Sequence, residues 1–488
     1  MYLAAPRELI VVTRPDVGLR VTPQGLHSLS HASVVSLAEA LASGNGALQP
    51  LFGISEDLLE VRVAEFTENA DARRRWSRYY KLSAPDSELI PLVERLRADP
   101  TVETVFVKPG VELPFRSSGR TLVPAAPATV TPDLLSFQTY LEPNRGINAI
   151  AAWAKPGGDG QEMQIIDIEG AWRFTHEDLQ ENEGGKVGGT ETPDLFWRNH
   201  GTAVIGILSG DRNNGHNVGI IGICPGANIS GVSIFGQPTS HLAADSGVAA
   251  AIRQAADKLH DGDIMVLEAQ APGPLSDFEI REDQHGYIPV EWWPDNLLAI
   301  RYAVERGIIV VEAAGNGGCD LDDPIFDDSP APPHGPFPSE WRNPLGRNAV
   351  DSGAILVGAG APPGGPNGNF GPRRSRLDFS NFGNSVDAQG WGHEVTSCGF
   401  GNLQGIDEDR FYTPDFGGTS AATPMVAGAI ASLQGMLRAA GKPLLTPQTA
   451  RTLLRSTGQE QQDAEDRPRS QRIGNLPDII QMATQLGL

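Results

Sequence analysis

The stretch Phe416-Gly-Gly-Thr-Ser-Ala-Ala-Thr-Pro-Met-Val-Ala-Gly428 decides how this chain is read. Glycines ahead of Ser420 let the backbone turn tightly and let another chain approach it. The small residues that follow suit a helix, whose positive end favours a nucleophilic oxygen at its start. A serine hydroxyl is a poor nucleophile until a base takes its proton. A serine so placed therefore needs a base, a carboxylate and fixed oxyanion donors from elsewhere in the chain.

Three further motifs meet that need, each at a strand end or a helix start. Gln164-Ile-Ile-Asp-Ile-Glu-Gly170 ends an apolar strand in a carboxylate and a glycine. Asn199-His-Gly-Thr-Ala-Val-Ile-Gly206 opens a helix with a histidine, and Glu312-Ala-Ala-Gly-Asn-Gly-Gly318 ends a strand in an asparagine flanked by glycines. The expected roles are Asp167 as carboxylate, His200 as base and Ser420 as nucleophile. The Asn316 amide and the Ser420 backbone N–H are the expected oxyanion donors. Each short motif alone reads as a turn or a cap. Only their joint presence fills every role of an acyl-transfer site.

In the order Asp, His, Asn, Ser, these motifs resemble those of the subtilisin-like serine peptidases, the subtilases. The resemblance covers roughly residues 148–440. It implies a serine endopeptidase acting on protein or peptide substrates, with no cofactor for catalysis. It also implies substrate-binding roles for Glu268, Ala269 and Gln270, and for Ala313, Ala314 and Gly315. Here the chain departs from the family, whose usual Ser-Leu-Gly is replaced by Glu268-Ala-Gln270. Glu268 either faces the pocket and favours Arg or Lys before the cut, or points away and pairs with a nearby Arg. The insertion Asp320 to Asp328 adds five carboxylates that could reach the cleft rim. By position, Asp178 and Asn217 match family residues that hold a structural calcium through oxygen ligands.

Outward from these motifs, short apolar strands at Met163–Ile168, Ile229–Ile234, Ile264–Ala269, Ile308–Ala313 and Ala354–Gly358 alternate with helical segments. That is the pattern of an α/β fold, a parallel sheet with helices on both faces. Residues 148–488 are read as this domain, with insertions at about 272–295 and 318–345. Residues 1–113 read as a small α+β, ferredoxin-like unit: strands at Leu9–Thr13, Ala47–Gly53, Arg78–Ser83 and Val102–Val107, and helices at Ser30–Ala42 and Asp86–Arg97. The resemblance implies a propeptide-like role for this unit and intramolecular inhibition of the cleft. Residues 114–147 read as an extended, mobile linker, rich at first in Pro, Ser and Thr.

Composition narrows the alternatives. The 488 residues carry 60 acidic and 38 basic side chains, a net charge of −22. Such a field repels nucleic acid and anionic membranes. Three cysteines allow one disulfide at most and no framework. No run reaches membrane-spanning length and the first residues lack a signal-peptide core, so the expected location is cytoplasmic, or outside the cell by a route without a cleavable signal. A lipase would need Gly-x-Ser-x-Gly, and Gly418-Thr-Ser-Ala-Ala422 lacks the last glycine. A latent regulatory protein, its cleft blocked by the N-terminal unit, remains the second reading.

Overall fold

Seven short strands build one parallel sheet, whose central strands are apolar on both faces and must be covered on both. The computed structural model describes residues 4–488 apart from 45, 84–85, 117–129, 182, 213–218, 237–245, 366–367 and 406. Four strands come first, in the N-terminal unit: β1 (Glu8–Thr13), β2 (Ala47–Pro50), β3 (Tyr79–Ser83) and β4 (Val102–Lys108). The parallel sheet then uses β5 (Gln164–Glu169), β6 (Glu183–Gly188), β7 (Asn228–Ser233), β8 (Ile264–Leu267), β9 (Ile309–Ala313), β10 (Ile355–Gly360) and β11 (Val386–Trp391). Its order is β11-β10-β9-β8-β5-β7-β6. The order reverses beside β5, and a crevice at the carboxyl ends of the strands is where such sheets bind ligands.

Side-chain alternation divides the core into two layers. Ile165, Val266, Val311 and Val357 pack with helix α3 (Leu195–Ser209) and helix α6 (Thr419–Ala439). Ile166, Ile168, Leu267 and Val310 face the other way, towards α4 (Val248–Ala256) and α5 (Pro294–Glu305).

The N-terminal sheet has the order β2-β3-β1-β4 and is antiparallel throughout. Helices α1 (Val35–Ser43) and α2 (Asp86–Arg97) cover one face through Leu9, Val11, Val105 and Val107. This is the expected ferredoxin-like arrangement, with further short helices between β2 and β3. The opposite face carries Ile10, Val12 and Phe106 and shares a single core with α4, α5 and the aromatic residues around Trp293.

One expectation needs correction. The segment 114–147 is not an extended linker throughout. Residues 114–116 lie in the cleft, and Tyr140, Leu141 and Ile147 are buried in the large domain's core. Residues 117–129, the stretch on which mobility was expected, lie outside the described residues. The cysteines form no bridge: Cys224, Cys319 and Cys398 are each buried and free. Among the described residues no helix is long and apolar enough to cross a membrane.

Candidate active site

Helix α3 starts where the Asp194 carboxylate accepts from the N–H groups of Phe196 and Trp197, a side-chain cap on two otherwise unpaired donors. That start places His200 on the second turn, facing the carboxyl end of β5. Its Nε2 lies 2.8 Å from Ser420 Oγ, and its Nδ1 lies 2.6 Å from Glu169 Oε1. Ser420 stands in the first turn of α6, two residues after Gly418 at the cap. All three side chains are fully buried.

The carboxylate on His200 is therefore Glu169, and the expectation for Asp167 is corrected. Residues two apart on a strand share a face but lie about 6.6 Å apart along it. Glu169 closes β5 next to Gly170 and reaches the histidine. Asp167 lies one repeat deeper, where its Oδ2 accepts from Trp172 Nε1 at 2.7 Å. The glycine was the available signal, since of the two acids only Glu169 adjoins it.

Glu268 departs from both readings given to it. The pairing of Leu267 with Ile168 puts it beside Glu169, on the face that also holds Asp167. It is fully buried, and neither of its carboxyl oxygens has a hydrogen-bond partner. It does not line an open pocket and pairs with no arginine. Asp167 Oδ1 and Glu169 Oε2 are likewise buried and unpartnered. Three packed carboxyl groups cannot all ionise away from water. Burial pushes Asp167 up to about 7. Burial, then the neighbouring acids, push Glu169 and Glu268 well above the usual carboxyl range. Burial pushes His200 down to about 3, which keeps its imidazole neutral.

The cleft is filled by the chain itself. Glu112 pairs antiparallel with Gln270, N–H to carbonyl at 2.9 Å and back at 3.0 Å. The Leu113 carbonyl accepts from Gln270 Nε2 at 3.3 Å and from Gln284 Nε2 at 2.9 Å. The Pro114 carbonyl oxygen lies 2.9 Å from Ser420 Oγ and 3.3 Å from the Ser420 N–H. Beyond it, the Arg116 N–H donates to the Gly417 carbonyl at 3.1 Å. Gly418 has φ 102°, and a Cβ there would sit 2.0 Å from the Pro114 oxygen, so glycine is required for this approach. Residues 112–116 thus cross the site as an extended peptide that offers the Pro114–Phe115 bond to Ser420.

Of the other expected residues, Asn316 is at the site, but its Nδ2 donates to Gln284 Oε1 at 3.1 Å and not to the Pro114 carbonyl. Its Oδ1 accepts from the N–H and hydroxyl of Thr419. Gln270 pairs with the strap, as a substrate-binding strand would, and buried Ala269 precedes it. Ala314 and Gly315 spend their carbonyls on Asn381, and the Ala314 N–H donates to Val357, so Ala313–Gly315 makes no hydrogen bond with the strap. Gln284, inside an insertion, went unassigned in the sequence. It has φ 53° and is nearly fully buried.

Asp178 does not fit a calcium ligand. Its carboxylate is fully buried, and Oδ2 accepts from the Ile220 N–H at 2.7 Å and the Tyr412 hydroxyl at 2.8 Å. Asn217 lies outside the described residues. Among those described, no three His, Cys, Asp or Glu gather as a metal site. The Asp320–Asp328 carboxylates make no hydrogen bond to residues 112–116, and Asp322 instead accepts from the Asn384 N–H. Cys319 is buried, with its thiol pushed up to about 12 by burial, which makes it a poor nucleophile.

The profile described as Subtilase family matches residues 137–474. A thermophilic serine proteinase of Bacillus sp. (strain AK1) is 27% identical over 312 residues, which is 63% of this chain and 60% of that protein. An extracellular protease of Xanthomonas campestris pv. campestris is 26% identical over 404 residues, 76% of this chain and 58% of that protein. The chain thus spans about 60% of the length of these two relatives. Among solved structures, fervidolysin from Fervidobacterium pennivorans, a keratinolytic enzyme related to subtilisin, has a TM-score of 0.54 at 17% identity. The match covers 99% of this chain and 61% of fervidolysin, and at that identity it speaks for the fold alone.

Proposed function

Because the chain belongs to the subtilase family, we propose that it is a serine endopeptidase that cleaves protein substrates through Ser420, His200 and Glu169. The observation that carries this reading is the single histidine held between a serine hydroxyl and a carboxyl group, with a peptide carbonyl against the hydroxyl. Ser420 Oγ attacks the carbonyl carbon while His200 Nε2 takes its proton. Glu169, ionised while Asp167 and Glu268 keep their protons, holds the Nδ1–H and stabilises the imidazolium that forms. The Ser420 N–H faces the developing oxyanion, and the Asn316 amide joins it on turning from Gln284. Collapse expels the amine, which takes the proton back from His200 and leaves an acyl-enzyme that water hydrolyses. A glutamate here supplies from the last residue of the strand what a shorter acid would have to supply from nearer the helix.

In the same reading, residues 1–113 hold the chain latent by laying residues 112–116 across the cleft. Proline at 114 has no N–H to pair with the substrate-binding strand, which weakens the grip of the reactive bond's own residue. Pure regulatory binding, without turnover, is the second reading, and it is the filled cleft that favours it. Both are tested by fluorophosphonate labelling of the full chain before and after limited trypsin, together with turnover of a peptide substrate. Labelling that appears or accelerates on nicking, with turnover, supports a latent peptidase. Ser420→Ala should remove both signals. Glu169→Gln should lower kcat by about three to four orders of magnitude, as expected for losing the group that orients the base. Asp167→Asn should lower it far less. The reverse ranking would return the role to Asp167, and no labelling in any state would sink the peptidase reading.

A further inference from the structure

Phe115 follows the presented bond, and its ring is seated among aromatic side chains of the large domain. It stacks on Phe400 with ring centroids 5.2 Å apart and an interplanar angle of 17°. It meets Phe196 edge-on at 5.3 Å and Phe416 at 5.7 Å with the rings tilted by 37°. The edge of the His200 ring closes the group at 6.1 Å. The three phenylalanines come from three different elements: α3, the loop after Cys398, and the strand Phe411–Phe416. They also touch one another, Phe196 with Phe400 at 5.7 Å and Phe400 with Phe416 at 6.0 Å. A box of this kind does not follow from one element's packing needs.

Phe400 shows what holds it there. It has φ 61°, in the left-handed region that a bulky side chain rarely adopts, between Gly399 at 86° and Gly401 at 74°. A backbone so strained persists only when its surroundings require it, and such positions gather at ligand clamps. The strain turns the Phe400 ring towards the cleft, where it remains partly exposed even with the strap in place.

We propose that Phe196, Phe400 and Phe416 form a subsite that selects an aromatic side chain immediately after the cut, on the leaving-group side. The inference rests on the peptidase reading and adds to it a class of substrate: proteins with Phe or Tyr directly following the scissile bond. Phe115 occupies this subsite in the latent chain as a substrate residue would. Offset stacking and edge-on contacts reward a flat ring beyond what its apolar area alone provides. A leucine fills the space without that reward. Placement against the base matters too, because the subsite fixes the amine that His200 must protonate.

The test uses the full chain and its Phe115 variants, and reads the rate of fluorophosphonate labelling. Phe115→Tyr should label at the parent rate. Phe115→Ala should label about tenfold faster, and Phe115→Leu nearly as fast, because the ring contacts are lost in both. The full-length Phe115→Ala chain is then given quenched peptides identical except for the residue after the bond. Phe and Tyr should exceed Leu and Ala about tenfold in kcat/KM, and Phe400→Ala in the same background should shrink that ratio. The ratio is taken within each variant, so a general loss of activity does not alter its meaning. Equal labelling rates across the series with a flat peptide profile would overturn the subsite while leaving the peptidase intact. No labelling of any variant, nicked or whole, would remove the peptidase reading and the subsite with it.

Discussion

The N-terminal unit meets the large domain in two places, and the two contacts are made differently. At the first, the open face of its sheet docks on α4 and α5 by side chains. Phe106 stacks on Trp293 at 6.3 Å and meets Phe337 edge-on at 5.2 Å. Phe66 and Trp76 pack on Tyr302. Lys108 is buried between Glu8, at 2.9 Å, and Asp295. At the second, residues 112–116 are held largely by main-chain hydrogen bonds, together with the two glutamine side chains on Leu113 and the ring of Phe115. The first contact can be specified by apolar residues that the unit needs on one face in any case. The second rests mainly on backbone groups that every residue offers, with Phe115 the side chain that distinguishes it. Docking and occlusion are therefore separable: one buries apolar side chains, and the other places a peptide in the cleft.

The largest expected effect comes from breaking the docking face. Phe106 points away from α1 and α2, so Phe106→Ala should spare the core beneath those helices and open the interface. Removing a buried ring of this size costs about 3–5 kcal/mol. The denaturant midpoint should fall accordingly, and fluorophosphonate labelling of the full chain should accelerate with it. A stability loss without faster labelling would show that the strap holds by itself, and the separation drawn above would fail.

A second test uses the acids beneath the strap. Asp167 ordinarily ionises near 3.8, and burial raises it to about 7. The folded chain thus keeps a proton that the unfolded chain releases. The associated stability is fully present below about pH 4 and is lost as the pH rises through 7. The slope is about 1.4 kcal/mol per pH unit for each proton retained. Unfolding midpoints measured from pH 4 to 8 should therefore fall towards neutrality, and Asp167→Asn should flatten part of that slope. An unchanged slope in the variant would mean that Asp167 is ionised in the folded chain.

The smallest effect is expected in the cleft. Gln284 donates to the Leu113 carbonyl and accepts from Asn316, so Gln284→Ala removes two hydrogen bonds, each worth about 1 kcal/mol net. The midpoint should shift by about 2 kcal/mol or less, while labelling accelerates because Asn316 is freed and the strap loosens. A change larger than that of Phe106→Ala would reverse the comparison between the two contacts.

Much of this was legible in the chain itself. The apolar strands at Met163–Ile168 and Ile308–Ala313, the glycine-framed Ser420 and the His200 helix start are local patterns, set by burial on both faces and by backbone turns. They led to the parallel sheet, to the family and to Ser420 and His200. The helix Asp86–Arg97 was read with the bounds it has, because its apolar spacing and the following Asp99-Pro100 are both local signals.

What the sequence alone determined was therefore the set of elements, together with Ser420 and His200 as the proposed nucleophile and base. Tertiary structure decided which acid meets His200. Asp167 and Glu169 share a strand face, and only the position of α3 along that strand distinguishes them. It also turned Glu268 from a pocket residue into a buried neighbour of both, because the parallel register brings the end of β8 beside the end of β5. And it placed Pro114 and Phe115 in the cleft. A stretch held by main-chain hydrogen bonds carries no side-chain pattern to announce its partner, so its place could be read only from the folded chain.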